Sequence, residues 1–196
     1  MTSCYRVVIT TMGKDFSKHV VVLVCNFVDA LSKCWAQFQL DLHQRLTYRF
    51  VPTKFKVLVP CRVDIGHWGL CKVNLLTWII IIYDSAAYLK PTDAKFREEQ
   101  VLPLRRLFPL ICSQLSYYEI SNRAPRKPLY CMKAVRLFPC QFPQQDDETS
   151  CGIFMLQGIE NIMRNKDQQW NWNKDTVPEL RKDMAFKIFG CSIEED

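Results

Sequence analysis

A cysteine followed by glycine at the head of an apolar helical pattern is a candidate nucleophile, and Cys151-Gly152 is such a pair. A thiol attacks an electrophile as the thiolate, so its pKa must fall from an ordinary value near ~8.5. A helix N-terminus favours that negative charge through its dipole and its unpaired N–H groups. Ser150, just before the cysteine, is a good N-cap residue. Gly152 leaves room for a backbone or a substrate to come close. The other cysteines lack this combination and read as small buried apolar residues.

A thiolate nucleophile needs a base. His67 stands between Gly66 and Trp68, at the mouth of a predicted strand pair. His19 flanks an apolar run and His43 lies in a polar helical segment, so both read as structural or surface residues. Asp84 ends the apolar run WIIIIYD, where a lone carboxylate is costly to bury. Pairing with His67 removes that cost and fixes the imidazole tautomer, the third-member role in a triad. The competing reading of Asp84 is an Asx-type turn cap with Ser85. Gln145 lies six residues before Cys151. Its amide N–H and the Cys151 backbone N–H could together bind an oxyanion; the neighbouring Gln144 is the alternative.

These residues must be positioned by elements that the pattern also suggests. Lys56–Arg62 reads as a strand leading to His67. Trp68–Asn74 and Trp78–Asp84 read as two strands joined by a turn around Leu75–Thr77. Antiparallel partners so joined bring His67 and Asp84 together, which gives their separation of 17 residues a geometric meaning. The second strand is apolar on both faces and reads as central and buried. Val20–Gln44 shows helical stretches, with Asn26 as a plausible N-cap. Ala94–Gln114 has helical spacing interrupted by Pro103 and Pro109. Leu129–Leu137 reads as a strand. A helix should open at Cys151, with Ile153, Phe154, Leu156, Ile159, Ile162 and Met163 on its apolar face. A last helix should follow Pro178, run through Phe189 and stop at Gly190. Arg123, Arg126, Lys127, Lys133 and Arg136 form a basic stretch, read as a solvated loop face or a docking patch for an acidic partner.

The 196 residues suit one domain, residues 19–196, with residues 1–18 as a loosely attached extension. Hydrophobic residues at 48% and charged residues at 23% mark a globular chain. A net charge of +6 without a basic reading motif argues against a specific nucleic-acid binder. The ten cysteines contain no CxxC pair, so neither a zinc ribbon nor a dithiol redox site is expected. No metal or cofactor is expected. The N-terminus lacks the apolar run of a signal peptide, and the apolar runs are too short to span a bilayer. An intracellular monomer of the nucleus or cytoplasm with reduced thiols is the expectation, with no membrane partner.

Together, His67-Trp68 opening a strand, Asp84-Ser85 after WIIIIY, and Gln145 in FPQQDDETSCGIFML before Cys151-Gly152 resemble the ubiquitin-like-specific proteases, best known as the SUMO proteases. The plant proteins of transposon origin that carry the same domain are similar too. The resemblance runs from about Asn26 to Phe189. It implies a papain-like α+β fold: a central mixed sheet flanked by helices, with the catalytic Cys at a helix N-terminus. It implies cleavage after the C-terminal glycine of a SUMO-like modifier, or of its conjugates, by Cys151, His67 and Asp84, with Gln145 at the oxyanion. Trp68 would wall the tunnel that admits the modifier tail, beside Gly152. Three departures are visible. Asp147-Glu148-Thr149-Ser150 replaces the family's Asn-Gly-x-Asp. The stretch between Asp84 and Cys151 is longer. The family's Trp-Leu-x-Asp segment is not recognisable in residues 15–35. Two other readings stay open: a modifier-binding module without activity, and a protease for ordinary polypeptides.

Overall fold

The computed structural model describes residues 20–23, 27–29, 56–64, 66–87, 99–114, 131–137, 139–166 and 169–193. The proposed extension over residues 1–18, His19, Asn26, His43, Arg123, Arg126 and Lys127 lie outside them.

Strands β1 (Val20–Val22), β2 (Lys56–Asp64), β3 (His67–Asn74), β4 (Ile79–Tyr83) and β5 (Lys133–Arg136) form one sheet in sequence order. β1 runs parallel to β2, β2–β3–β4 is an antiparallel meander, and β5 returns parallel to β4. The sheet is therefore mixed, as expected. The first strand corrects the helical reading of Val20–Val22: three successive β-branched side chains suit a pleated surface better than a helix. Pro60 sits within β2 although it cannot donate to a ladder. Among the described residues β1 pairs with Lys56, Val57 and Leu58, so Pro60 lies two residues past that pairing, where a proline is best tolerated.

The two faces of the sheet carry two cores. On one face Val57, Val59, Cys71, Val73, Ile80 and Ile82 pack against α1 (Leu102–Gln114) through Leu104, Leu107, Phe108 and Ile111. On the other, Leu58, Leu70 and Tyr83 pack against α2 (Cys151–Met163) and against Val177 and Met184 of α3 (Val177–Ile193). Burying one such large apolar side chain is worth about 1.5–3 kcal/mol. On the α1 face β4 buries Ile80 and Ile82; on the other face Tyr83 is buried, but Ile79 and Ile81, expected to be buried as well, are half-buried.

Pro109 does not end α1, contrary to the expectation. It removes the N–H that would reach the carbonyl of Arg105. Met132 N–H takes that carbonyl at 2.9 Å, and Arg105 Nε donates to Met132 O at 2.9 Å. The lost helical bond thus becomes a tether from α1 to the residue that leads into β5. α3 also runs past Gly190 to Ile193, because a glycine ends a helix only where the chain turns left-handed after it. No helix among the described residues is long and apolar enough to cross a membrane.

Candidate active site

The β3–β4 register pairs Leu70 with Tyr83. One step further, Gly69 comes opposite Asp84, and His67 is the next residue along on the same face of β3. The register of β2 against β3 slips between Arg62 and Asp64, beside His67; such a bulge re-aims the side chains next to it. His67 Nε2 lies 2.9 Å from Asp84 Oδ1, and both residues are buried. The same oxygen accepts the Ala86 N–H at 3.0 Å. Asp84 is therefore both the imidazole's partner and the cap of an Asx-type turn. The two readings of this residue coexist.

Cys151 opens α2, which packs along β3. Its thiol donates to the carbonyl of Gly66 at 3.9 Å, so the sulfur stands at the head of the strand that His67 begins. Gly66 has a φ of +74°, a left-handed geometry that glycine adopts without strain. With Nε2 committed to Asp84, Nδ1 is the ring nitrogen left for the thiol. Burial disfavours a charged His67, but hydrogen bonds to Asp84 and Cys151 and their negative charges outweigh it, so the imidazole titrates above its ordinary value. Burial likewise pushes the Cys151 thiol up. The His67 hydrogen bond, the Trp68 N–H, the His67 charge and the Gly152 N–H outweigh that effect, and the net shift is downward. The two shifts together favour a thiolate–imidazolium pair.

Ser150 occupies the N-cap position but makes no side-chain cap. Its hydroxyl donates to Asp147 Oδ2 instead and accepts from Arg181 of α3 at 3.0 Å. Asp147 Oδ1 also takes the N–H groups of Thr149 and Ser150, each at 2.7 Å. The hydroxyl's proton thus goes to a carboxylate and its lone pair to a guanidinium, charge-assisted partners that are stronger than a neutral helix amide. The departure Asp147-Glu148-Thr149-Ser150 therefore builds its own loop, closed by a carboxylate.

Gln145 is buried beside the turn that follows Asp84. Its N–H donates to the Ser85 carbonyl at 2.8 Å, its Oε1 accepts the Ser85 hydroxyl at 2.6 Å, and its Nε2 donates to the Asp147 carbonyl. Gln144, the alternative oxyanion donor, is otherwise engaged. Its Nε2 donates to the carbonyls of Asp84 and Phe142, each at 2.9 Å, and its Oε1 accepts the Ala87 N–H at 2.9 Å. The adjacent glutamines thus clamp residues 84–87 to the loop that enters α2. Tyr83, Phe142 and Trp170 pack edge to face around the same junction, with ring centroids 5.1–5.9 Å apart. This aromatic anchor and the Ser85 contact were not read from the sequence. The Asp84-Ser85 dipeptide was the one local hint.

Trp68 is half-buried, packed at the edge of the α2-side core, and its backbone N–H faces the Cys151 sulfur. A Cβ added to Gly152 would meet nothing within 4 Å. Among the remaining cysteines, Cys61, Cys71 and Cys112 are buried as expected, whereas Cys131 and Cys140 are exposed. Cys131 lies just before β5, and Cys140 is the middle residue of the short 3-10 turn Pro139–Gln141. Among the described residues, no group of three or more His, Cys, Asp or Glu is placed to hold a metal.

A thiol at a helix N-terminus, an imidazole opening the strand beside it and a carboxylate after the next strand, on a mixed sheet between helices, make up a papain-like α+β cysteine protease domain. The chain belongs to the Ulp1 protease family: residues 5–193 match that family's C-terminal catalytic domain. It is 23% identical over 140 residues to sentrin-specific protease 5 of Mus musculus and, equally, of Homo sapiens. The match takes in 71% of this chain and only 16% of either relative. Among solved structures it resembles the SUMO protease Ulp1 with its catalytic cysteine oxidised to a sulfonic acid, with a TM-score of 0.60 and 14% identity over 97% of this chain and 76% of the other. The Ulp1 protease domain solved in complex with SMT3, the yeast ortholog of SUMO, gives a TM-score of 0.59 at 14% identity, over 95% of this chain and 73% of the other. The Xanthomonas campestris effector XopD bound to ubiquitin gives 0.55 at 16%, over 94% and 89%. At these identities the structural likeness establishes the fold, which is the one the family resemblance implied.

Proposed function

We propose that this chain is a thiol isopeptidase and endopeptidase that cleaves after the C-terminal glycine of a ubiquitin-like modifier, SUMO-like in kind. The observation that carries the reading is the junction of three groups distant in sequence: Cys151 on α2, His67 on β3, and Asp84 at 2.9 Å from the ring. Family membership supports it. So do the partners of two structural neighbours, SMT3 for one and ubiquitin for another.

In the proposed reaction His67 holds the proton of Cys151, and the thiolate attacks the carbonyl carbon of the terminal glycine. Gln145 Nε2 and the Cys151 N–H bind the oxyanion that forms. His67 then delivers its proton to the leaving amine, and the C–N bond breaks to give a thioester. Water, deprotonated by His67, releases the acid and restores the thiol. Asp84 keeps Nε2 protonated and supports the imidazolium. Trp68 and the open side of Gly152 flank the modifier tail. Residues 19–196 are taken as the catalytic domain, working as an intracellular monomer in the nucleus or cytoplasm.

A panel of ubiquitin-like proteins bearing C-terminal electrophiles tests the reading. A SUMO-type probe should label the chain, and Cys151→Ala should abolish the label. Binding without labelling would instead indicate an inactive modifier-binding module. Cleavage of generic peptides with no probe labelled would indicate a protease for ordinary polypeptides.

A further inference from the structure

The Ser85 hydroxyl is buried, with 2% of the residue exposed, and lies 2.6 Å from Gln145 Oε1. A carbonyl oxygen has no proton, so the hydroxyl must be the donor. The other end of the amide is fixed as well, because Nε2 donates to the Asp147 carbonyl. The Asp147 carbonyl can only accept, so it selects the flip state of the amide, and the Ser85 hydroxyl then anchors the oxygen end by donating to it. Nε2 carries two N–H groups. Among the described residues Asp147 O takes one, and in the proposed reaction the second is the one that would serve the oxyanion. In the opposite flip state Oε1 would face the Asp147 carbonyl, two acceptors without a proton between them.

We infer that Ser85 is a positioning residue for catalysis: by donating to Gln145 Oε1 it anchors the oxygen end of the amide whose Nε2 serves the oxyanion. The inference rests on the protease reading above and extends it to a residue outside the triad. Ser85 touches no reacting atom and acts through Gln145. A purely structural serine would weaken the fold alike whether or not Gln145 is present. A positioning serine has nothing to position once the amide is gone. That difference is measurable as non-additivity between two contacting residues.

The test is a double-mutant cycle in turnover of a SUMO-type modifier carrying a C-terminal fluorogenic amide. Loss of an oxyanion donor costs about 10²–10³ in kcat, which sets the expectation for Gln145→Ala. Ser85→Ala should lower kcat by about tenfold with KM nearly unchanged, since the oxyanion exists only after attack. The pH limbs should stay in place, because neither triad partner is touched. The double variant should be no slower than Gln145→Ala alone. Ser85→Cys keeps the volume with a weaker donor, and carries the same cycle if Ser85→Ala does not fold. An unchanged kcat in Ser85→Ala, or a full extra tenfold loss in the double variant, overturns the assignment. A Gln145→Ala enzyme that keeps full kcat removes both the oxyanion role and this assignment while leaving the protease reading intact. A wild-type chain without Cys151-dependent turnover removes that reading as well.

Discussion

Asp84 Oδ1 accepts from His67 Nε2 at 2.9 Å and from the Ala86 N–H at 3.0 Å, so one oxygen serves the imidazole and the turn that carries it. Asp84→Asn can keep the Ala86 bond through its amide oxygen. It then offers His67 either that same oxygen without its charge, which supports the imidazolium less, or an –NH2 that cannot accept from Nε2 and selects the wrong tautomer. Turnover of a SUMO-type substrate should fall by about 10²–10⁴ in kcat, with little change in melting temperature. A kcat within a factor of a few of wild type would remove Asp84 from the proposed triad.

Opposite pKa shifts at Cys151 and His67 set a pH window. Cys151 is lowered, so its alkylation by iodoacetamide should rise with pH earlier than that of an ordinary thiol. His67 is raised, so turnover should persist until pH climbs through that higher value and the imidazolium is lost. His67→Ala removes the strongest opposing influence on the buried thiol and should move the alkylation limb to higher pH. Burial pushes Cys112 up, and the Cys61 hydrogen bond with burial does so for Cys71, so neither should be modified at neutral pH. Mass spectrometry of the alkylated peptides resolves Cys151 from the exposed Cys131 and Cys140.

Gln144 holds three carbonyls with one amide nitrogen, those of Asp84, Phe142 and Pro143, while its oxygen takes the Ala87 N–H. Gln144→Glu keeps the acceptor and sets a carboxylate against those carbonyls. Stability at neutral pH should fall by about 1–3 kcal/mol, the cost of unpaired polar groups, measured by urea denaturation. Turnover should fall with it, since Asp84 and Gln145 both hang on this clamp. An unchanged denaturation midpoint would show that the clamp is not needed.

Two glycines should respond in opposite ways. A Cβ at Gly69 would come 3.1 Å from Val63 Cγ1 and 3.2 Å from the Tyr83 carbonyl, so Gly69→Ala should destabilise by about 1–3 kcal/mol. A Cβ at Gly152 meets nothing within 4 Å, and alanine is the better helix former by up to about 1 kcal/mol. Gly152→Ala should therefore keep or raise the melting temperature. It should also lower kcat/KM at least tenfold, because the added methyl occupies the approach of the modifier tail. Full activity in this variant would take Gly152 out of the substrate path.

Much of the site was legible because it depends on residue type and strand arithmetic. The Cys-Gly at a helix start and the His67–Asp84 spacing across a short turn required only local geometry, whereas the Gln145 offset carried weight through the family resemblance. The choice between Gln144 and Gln145 was not legible, since adjacent glutamines in a loop carry the same chemistry. Their partners, Ala87 for one and Ser85 for the other, belong to a turn about sixty residues away. Pro109 was misread for a related reason: a proline's cost inside a helix depends on who takes the released carbonyl, and that partner is Met132.

The order of residues along this chain determined which side chains could do chemistry and which short elements would carry them, because periodicity and helix-end preferences act within a few residues. Only the tertiary structure decided that Ser150 would turn from its helix to Asp147 and Arg181, and which glutamine would brace the acid. Those outcomes are competitions between donors and acceptors brought together by folding, and their winner depends on distances that no local pattern encodes.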